Sequence, residues 1–556
     1  MFQGRTRGQA QELADIAFIS AVTSDESEPK TFKEAMESPD REKWLKAVKL
    51  ELTNMKKRGV WEVVKKSTIP PNRQLIGCRW VFKIKADGTH RARLVAQGFS
   101  QIPGVDYTEN FAPVLKDESL RVILVYKVVK KAESEQINVE TAFLYGDLEE
   151  LIFMICPEGL EICDDECVLL KKSIYGLVQA ARQWYKKFVQ MLKRIGFESC
   201  LADPCLLCKK ESNGEMTILV VYVDDCICIG SKEAIKKTIN QIAKHFTIKR
   251  MGMARDYVGC RIKQLEGNEG ILVTQPELLK SLEKKFGATV ATLRYYNTPA
   301  GPSEMVMRPH EGDRLLTSDD QKLYRSGVGM LLYLTKHSRP DISNAVRELS
   351  KVMDGATEAH MKMMLRCIKY ILDSQEKGLL IRPTEVLDDV WDLQAFCDSD
   401  YSGDRDKRLS VTGFVIYLLG VAIAWACRAQ RSVTLSSTEA EYIALSEVCR
   451  EILFIAQIME FLGMTVKRPI VVRVDNIGAI YLANNQTTSQ RTKHVDIRYH
   501  FVREYIEDGL VQIVFVKSKD NIADIFTKNL DGETFWRHAN KFLADDNPND
   551  RKGVGE

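Results

Sequence analysis

The run Tyr222-Val223-Asp224-Asp225 sets two adjacent aspartates inside an otherwise apolar stretch, 218–229. Ionised carboxylates are rarely buried without a partner, so this run restricts the local fold more than any other feature of the chain. Its flanks, Thr217-Ile218-Leu219-Val220-Val221 and Cys226-Ile227-Cys228-Ile229-Gly230, are short β-branched runs. They predict a tight hairpin with the aspartates at its tip. Carboxylates so placed suit divalent cations, and two cations clamp the attacking and leaving oxygens of a phosphoryl transfer. A solvated Asp-Asp turn between core strands is the competing reading, and the motif alone does not separate the two.

At 556 residues the chain has room for about three or four domains, and its 45% hydrophobic content is that of globular protein. No stretch approaches the roughly 18 uninterrupted apolar residues of a membrane span, and no apolar secretory core follows Met1. The expectation is an intracellular protein without a membrane segment. A net charge of +3 does not argue for nucleic acid, so any basic surface must be local. The 14 cysteines are scattered through strand and helix patterns, which predicts reduced thiols. Cys205 and Cys208 have zinc-type spacing, with Cys163 and Cys167 nearby in sequence, but leucines lie between them and no histidine follows at knuckle spacing. A buried strand is the preferred reading there.

Residues 1–28 are polar and mixed and are expected to lack fixed structure. From Thr31 onward Ala35, Trp44, Leu45, Val48, Leu52 and Met55 recur at helix spacing. A hairpin follows over 77–95, turning at 86–89 and projecting Arg79, Lys83, Lys85, Arg91 and Arg93. These are either solvated strand faces or a grip on a nucleic-acid backbone or triphosphate. The segment 173–182 leads into a helix expected to end near Gly196; further helices are expected over 233–246 and 276–286, and two or three over 320–375. A strand pair is expected near 257–262 and 270–274, and 299–309 reads as a linker. A second α/β segment begins near Trp391. The tail after about 545 is polar.

Several long stretches, all in one order, carry a resemblance. They are Ile76-Gly77-Cys78-Arg79-Trp80-Val81-Phe82-Lys83, Ala92-Arg93-Leu94-Val95-Ala96-Gln97-Gly98-Phe99, Thr141-Ala142-Phe143-Leu144-Tyr145-Gly146-Asp147-Leu148 and Ala202-Asp203-Pro204-Cys205-Leu206. Further on come Tyr324-Arg325-Ser326, Arg339-Pro340-Asp341-Ile342, Leu435-Ser436-Ser437-Thr438-Glu439-Ala440-Glu441-Tyr442 and Arg491-Thr492-Lys493-His494. Over nearly its whole length the chain resembles the reverse transcriptase and ribonuclease H portion of a Ty1/copia-type retrotransposon polyprotein. The resemblance implies a multidomain fold of α/β and α+β class. Fingers and palm of a right-hand polymerase would span 29–275, thumb and connection 276–391, and a ribonuclease H-like domain 392–531. That last domain would have a mixed sheet flanked by helices, with 532–556 as a C-terminal tail.

The family's polymerase site holds two metals with three aspartates. Asp224 and Asp225 match two; the third position falls on Ile137-Asn138-Val139, where this chain has Asn138. An amide is neutral and offers a metal one carbonyl oxygen, so polymerisation is expected to be crippled. Glu140, two residues on and expected on the same strand face, lies about 6–7 Å away and is not expected to substitute. Phe143 matches the aromatic that excludes a ribose 2′-hydroxyl. Gly176 and Gln179 match the segment supporting the templating base pair, where Val178 and Ala181 replace the commoner lysine and proline. Lys85 and Arg93 match basic positions facing triphosphate, and Tyr222 adjoins the aspartates.

The second acidic set reads more completely. Asp398 ends an apolar strand, Glu441 lies in a helix opened by Ser436-Ser437-Thr438-Glu439, Asp475 ends the run Ile470-Val471-Val472-Arg473-Val474, and Asp524 is expected at the start of the last helix. Singly, each would be a cap or a solvated acid; the resemblance assigns all four to a two-metal hydrolytic site. No histidine occurs in Val516-Lys517-Ser518-Lys519-Asp520, and His494 and His500 read as packed or nucleic-acid-facing rather than catalytic.

The implied activity is RNA-directed DNA polymerase with ribonuclease H, using two Mg²⁺ per site, with Mn²⁺ as a substitute. RNA template, DNA primer, deoxynucleoside triphosphates and RNA–DNA hybrid are the implied partners, in a cytoplasmic particle or the nucleus. The oligomeric state is not legible. A non-catalytic nucleic-acid-binding relic is the alternative. With no Asp-Thr-Gly or Asp-Ser-Gly motif, the chain is expected to be a fragment of a longer polyprotein or a reading frame left from one.

Overall fold

The computed structural model describes residues 28–85, 88–161, 163–212, 214–386, 388–485 and 496–545, and of residues 268 and 496–500 the backbone only. The N-terminal segment up to 27, the turn residues 86–87, the Arg491-Thr492-Lys493-His494 stretch and the tail beyond 545 lie outside the described residues, as does the side chain of His500. Two compact units divide the described chain: 28–115 with 134–253, and 116–133 with 254–545.

In the first of these, helix Arg41–Lys57 buries Trp44, Val48, Glu51 and Met55 at helix spacing. It packs on the antiparallel hairpin Cys78–Ile84 and His90–Ala96, whose alternation buries Trp80, Phe82, Ala92 and Leu94. Arg79, Lys83, Arg91 and Arg93 fall on the other face. A six-stranded sheet holds strand Glu133–Val139 beside Asp225–Gly230, which pairs antiparallel with Met216–Tyr222. Under it lies helix Ala180–Arg194, whose Trp184 and Phe188 stack at 4.9 Å and are buried with Ile137, Val139, Leu219, Val221 and Cys226. Cys205 and Cys208 are buried at strand Leu206–Lys210, as apolar core thiols would be.

In the other unit, helices Pro276–Ala291, Ser318–His337, Ser343–Ser350 and Glu358–Asp373 follow one another in the chain. A buried network ties the turn after helix Ser318–His337 to helix Glu358–Asp373: the Arg339 guanidinium makes two bonds to Asp341, at 3.0 and 2.8 Å, and Tyr370 donates to the same carboxylate at 2.8 Å. One of two five-stranded sheets has strand order Val421–Ala429, Leu409–Leu418, Leu393–Asp404, Ile470–Val474, Val511–Phe515. Its first three strands are antiparallel and the last two run parallel to the third, with helix Ser437–Phe461 packed on it. This is the mixed α/β arrangement expected for 392–531.

The grouping of the described residues differs from the sequence reading in three places. Residues 254–275 group with the second unit, because Cys260–Gln264 and Ile271–Thr274 continue a sheet through Gly378–Ile381 to Leu543–Ala544. Helix Asp117–Val129 joins it too: Arg121 donates to the Ile423 carbonyl at 2.9 Å and lies 3.8 Å over the Trp425 ring. The supposed tail starts as structure, with helix Gly532–Ala539 capped by Asp531 and then the strand Leu543–Ala544. Among the described residues no helix is long and apolar enough to cross a membrane.

Candidate active sites

The hairpin closes as its sequence predicts. Tyr222 pairs with Asp225, leaving Val223-Asp224 as the turn. Val223 sits at φ 57, unusual for a β-branched residue, and its carbonyl accepts the Trp184 indole N–H at 2.7 Å. The helix beneath therefore pins the turn. Asn138 lies on the neighbouring strand and donates its amide N–H to Asp225 Oδ1 at 2.8 Å. Burial raises the Asp225 pKa, the Asn138 bond opposes this, and Asp224 adds to the rise. The strand ends at Val139, so Glu140 does not continue its alternation; it is exposed and gives its backbone N–H to Thr247 at 2.9 Å.

Around this pair the structure gathers part of the expected substrate set. Tyr175 is the hub: Arg93 lies 4.6 Å over its ring and Phe143 meets it edge-on at 5.0 Å. Phe143 is half-buried. Burial and neighbouring Arg93 lower the pKa of Arg91, against the pull of Tyr175, Glu51 and Asp224. Among these influences Asp224 is the weakest. Lys85 is exposed at the end of its strand. Gly176, at φ 88, comes so close to the hairpin that a Cβ would lie 2.2 Å from the Ala96 carbonyl oxygen. Gln179 is wholly buried, accepting from Gln101 at 3.1 Å and donating to the Asp106 carbonyl at 3.0 Å. Its side chain anchors the loop after the hairpin rather than facing an open cleft.

The second site converges from four elements. Asp398 lies within strand Leu393–Asp404, not at its end, opposite Gly413. The parallel register Gln394↔Val471, Ala395↔Val472, Phe396↔Arg473, carried two residues further, sets Asp475 alongside Asp398. Asp524 occupies a 3₁₀ turn, Ile522–Phe526, instead of the start of an α-helix. That turn lies flat on the sheet because position 413 has no side chain: a Cβ there would sit 2.5 Å from Thr527 Cγ2 and 3.1 Å from the Ala523 carbonyl. Asn521 ties it down by donating to the Cys397 carbonyl at 3.0 Å, and Thr527 donates its hydroxyl to Asp398. One carboxylate oxygen from each of Asp398, Asp475 and Asp524 lies within 4.8 Å of the others.

Glu441, in the helix capped by Ser436, stands beside this trio and accepts the Ser399 backbone N–H at 3.1 Å. Burial, then Asp398 and Asp475, push its pKa up to about 9; burial and Asp398 push Asp524 to about 7, against Lys528. Burial raises Asp398 as well. Glu441 Oε2 and Asp524 Oδ1 are buried with no hydrogen-bond partner. Uncompensated buried carboxylate oxygens are costly, and a hard divalent cation with oxygen ligands is the group this donor set fits. Lys528, which places Nζ 3.0 Å from Asp524, escaped the sequence reading although its spacing of four from Asp524 was visible.

The reverse transcriptase (RNA-dependent DNA polymerase) family matches residues 58–300. The chain is similar to the retrovirus-related Pol polyprotein from transposon TNT 1-94 of Nicotiana tabacum, 34% identical over 534 residues, covering 94% of this chain and 39% of that protein. The corresponding polyprotein from transposon RE1 of Arabidopsis thaliana is 32% identical, over 93% of this chain and 34% of its own length. The truncated transposon Ty1-A Gag-Pol polyprotein of Saccharomyces cerevisiae is 24% identical, over 91% and 43%. A solved structure of LC11-RNase H1, isolated from compost, is similar over 24% of this chain and 92% of that one at 15% identity, with a TM-score of 0.20, too low to carry a fold assignment. The chain spans less than half the length of these polyproteins. Its matches extend nearly end to end along the chain: it is similar throughout to Ty1/copia-type retrotransposon Pol polyproteins, and residues 58–300 match the reverse transcriptase family.

Proposed function

We propose that this chain hydrolyses the RNA strand of RNA–DNA hybrids at Asp398, Glu441, Asp475 and Asp524, and that its RNA-directed DNA polymerase site is impaired by Asn138. The observation that carries the first half is the convergence of Asp398, Asp475 and Asp524 with two orphaned buried oxygens, on Glu441 and Asp524. Two Mg²⁺ ions, or Mn²⁺ in their place, would supply the activation of water and the stabilisation of the leaving 3′-oxygen. The protein's part is to hold the ligands: Thr527 orients Asp398, Ser399 orients Glu441, and Asn521 keeps the Asp524 turn on the sheet.

At the hairpin, Asp224 and Asp225 are the metal ligands in this reading and Asn138 is the defect. Its amide is neutral, and one Asp225 oxygen already accepts its N–H. Arg93, Arg91 and Lys85 face the triphosphate, Phe143 and Tyr222 line the nucleotide, and the Gly176–Gln179 segment backs the template. Primer–template therefore binds without efficient extension, in a cytoplasmic particle or the nucleus. A relic with two silent sites is the second reading; Asn138 favours it for the hairpin alone.

Purified chain, assayed with labelled hybrid and with primed RNA template, tests both. The expected outcome is hybrid cleavage that Asp398→Asn abolishes, with extension restored on the order of 10²-fold by Asn138→Asp. Extension unchanged by Asn138→Asp refutes the impairment; no cleavage under Mg²⁺ or Mn²⁺ favours the relic.

A further inference from the structure

We infer that Lys528 is a built-in counter-cation of the carboxylate site, bridging Asp524 and Asp398 in the ion-free protein and yielding Asp524 when a divalent ion binds. The inference rests on the reading of Asp398, Glu441, Asp475 and Asp524 as metal ligands. Lys528 Nζ lies 3.0 Å from Asp524 Oδ2 and 3.9 Å from Asp398 Oδ2. Its backbone N–H donates to the Asp524 carbonyl at 3.1 Å, so the root of the side chain is anchored by the same turn that presents Asp524.

Compensation by one ammonium is incomplete. It brings one charge and three donors to several acids, and Asp524 Oδ1 and Glu441 Oε2 remain without partners. A divalent ion seated among Asp398, Asp475 and Asp524 would stand within a few ångströms of the ammonium, and their repulsion forbids sharing Asp524. Lys528 is the group free to leave. Its side chain is 43% exposed, against 4% for Asp398 and 9% for Asp524, and its four-carbon stem swings outward without disturbing the core. Asp398 keeps its Thr527 bond throughout. Lys528 is therefore a positioning residue: it keeps the acids gathered before the ion arrives, at the cost of competing with it.

The test is Mn²⁺ titration by calorimetry, with thermal melting, on the full chain carrying D224N and D225N in every sample to silence the hairpin acids. Lys528→Met is expected to bind Mn²⁺ about tenfold more tightly than its parent and to melt lower without metal, recovering in saturating Mn²⁺. Lys528→Arg, which keeps the charge, is expected to match the parent in both. A merely structural lysine would not raise ion affinity when removed, so equal or weaker Mn²⁺ binding by Lys528→Met overturns the proposal. If Lys528→Met cannot be purified even in Mn²⁺, metal-free melting of Lys528→Arg decides: loss of the parent's stability overturns it. Asp524→Asn separates the underlying reading, because undiminished Mn²⁺ binding there means that these acids are not the ligands.

Discussion

One side-chain atom separates Asn138 from an aspartate, and the consequence is electrostatic rather than steric. The amide bonds Asp225 at 2.8 Å, and it is neutral where an aspartate would carry a negative charge. Position 138 stood out in the sequence only through the resemblance, which expects an aspartate there. Gly413 was not legible, since nothing local distinguishes it from any other strand glycine. Its role comes from the turn of residues 522–527, more than a hundred positions away, which packs where a Cβ would be. Gly413→Ala is expected to destabilise the protein by about 1–3 kcal/mol, as overpacking does, and to weaken Mn²⁺ binding by lifting Asp524 and Thr527 off the sheet. Urea unfolding and ion titration check this; an alanine variant with unchanged affinity would show that the turn tolerates displacement.

Among the helices, two ends meet with complementary charge. Asp117 opens helix Asp117–Val129 and His337 closes helix Ser318–His337, with 3.1 Å between His337 Nδ1 and the Asp117 carboxylate. An acid at an N-terminus and a cation at a C-terminus each complement the helix dipole. Burial alone would lower the His337 pKa, but Asp117, with Cys260, outweighs it and raises the pKa to about 9. Asp117 is lowered in turn, against burial, by His337, Lys336 and Arg121. A raised histidine pKa stabilises fully below its unfolded value near 6.5, and that contribution is lost as pH climbs through 9. Stability is therefore expected to fall between pH 6.5 and 9.5, by a few kcal/mol at most. Denaturation midpoints across that range test it, and His337→Gln should flatten the slope. The pairing could not be read from sequence, because the two residues lie far apart and neither carries a motif. The Ser436 cap, by contrast, was readable because capping is local: its hydroxyl accepts the Glu439 N–H at 3.2 Å.

Over the whole chain, the hairpin aspartates and the four-acid set fall in different compact units. Asn138→Asp should therefore alter extension and leave hybrid cleavage within about twofold, with Asp398→Asn doing the reverse, since sites that share no partners behave additively. Paired assays of both variants check this; cross-talk in either direction would show that the sites are coupled. The hairpin, the family likeness and seven candidate acidic or amide positions were legible in the sequence alone, since alternation, capping and motif order are local and survive without coordinates. Tertiary structure decided the rest. It assigned helix Asp117–Val129 and residues 254–275 to the second unit. It showed Gln179, read from sequence as part of the segment supporting the templating base pair, to be buried and bonded to Gln101 and the Asp106 carbonyl. It also brought Lys528 and Thr527 onto Asp398. Each of these depends on which surfaces pack against each other, and packing is set by shape and burial across distant segments, which no local pattern encodes.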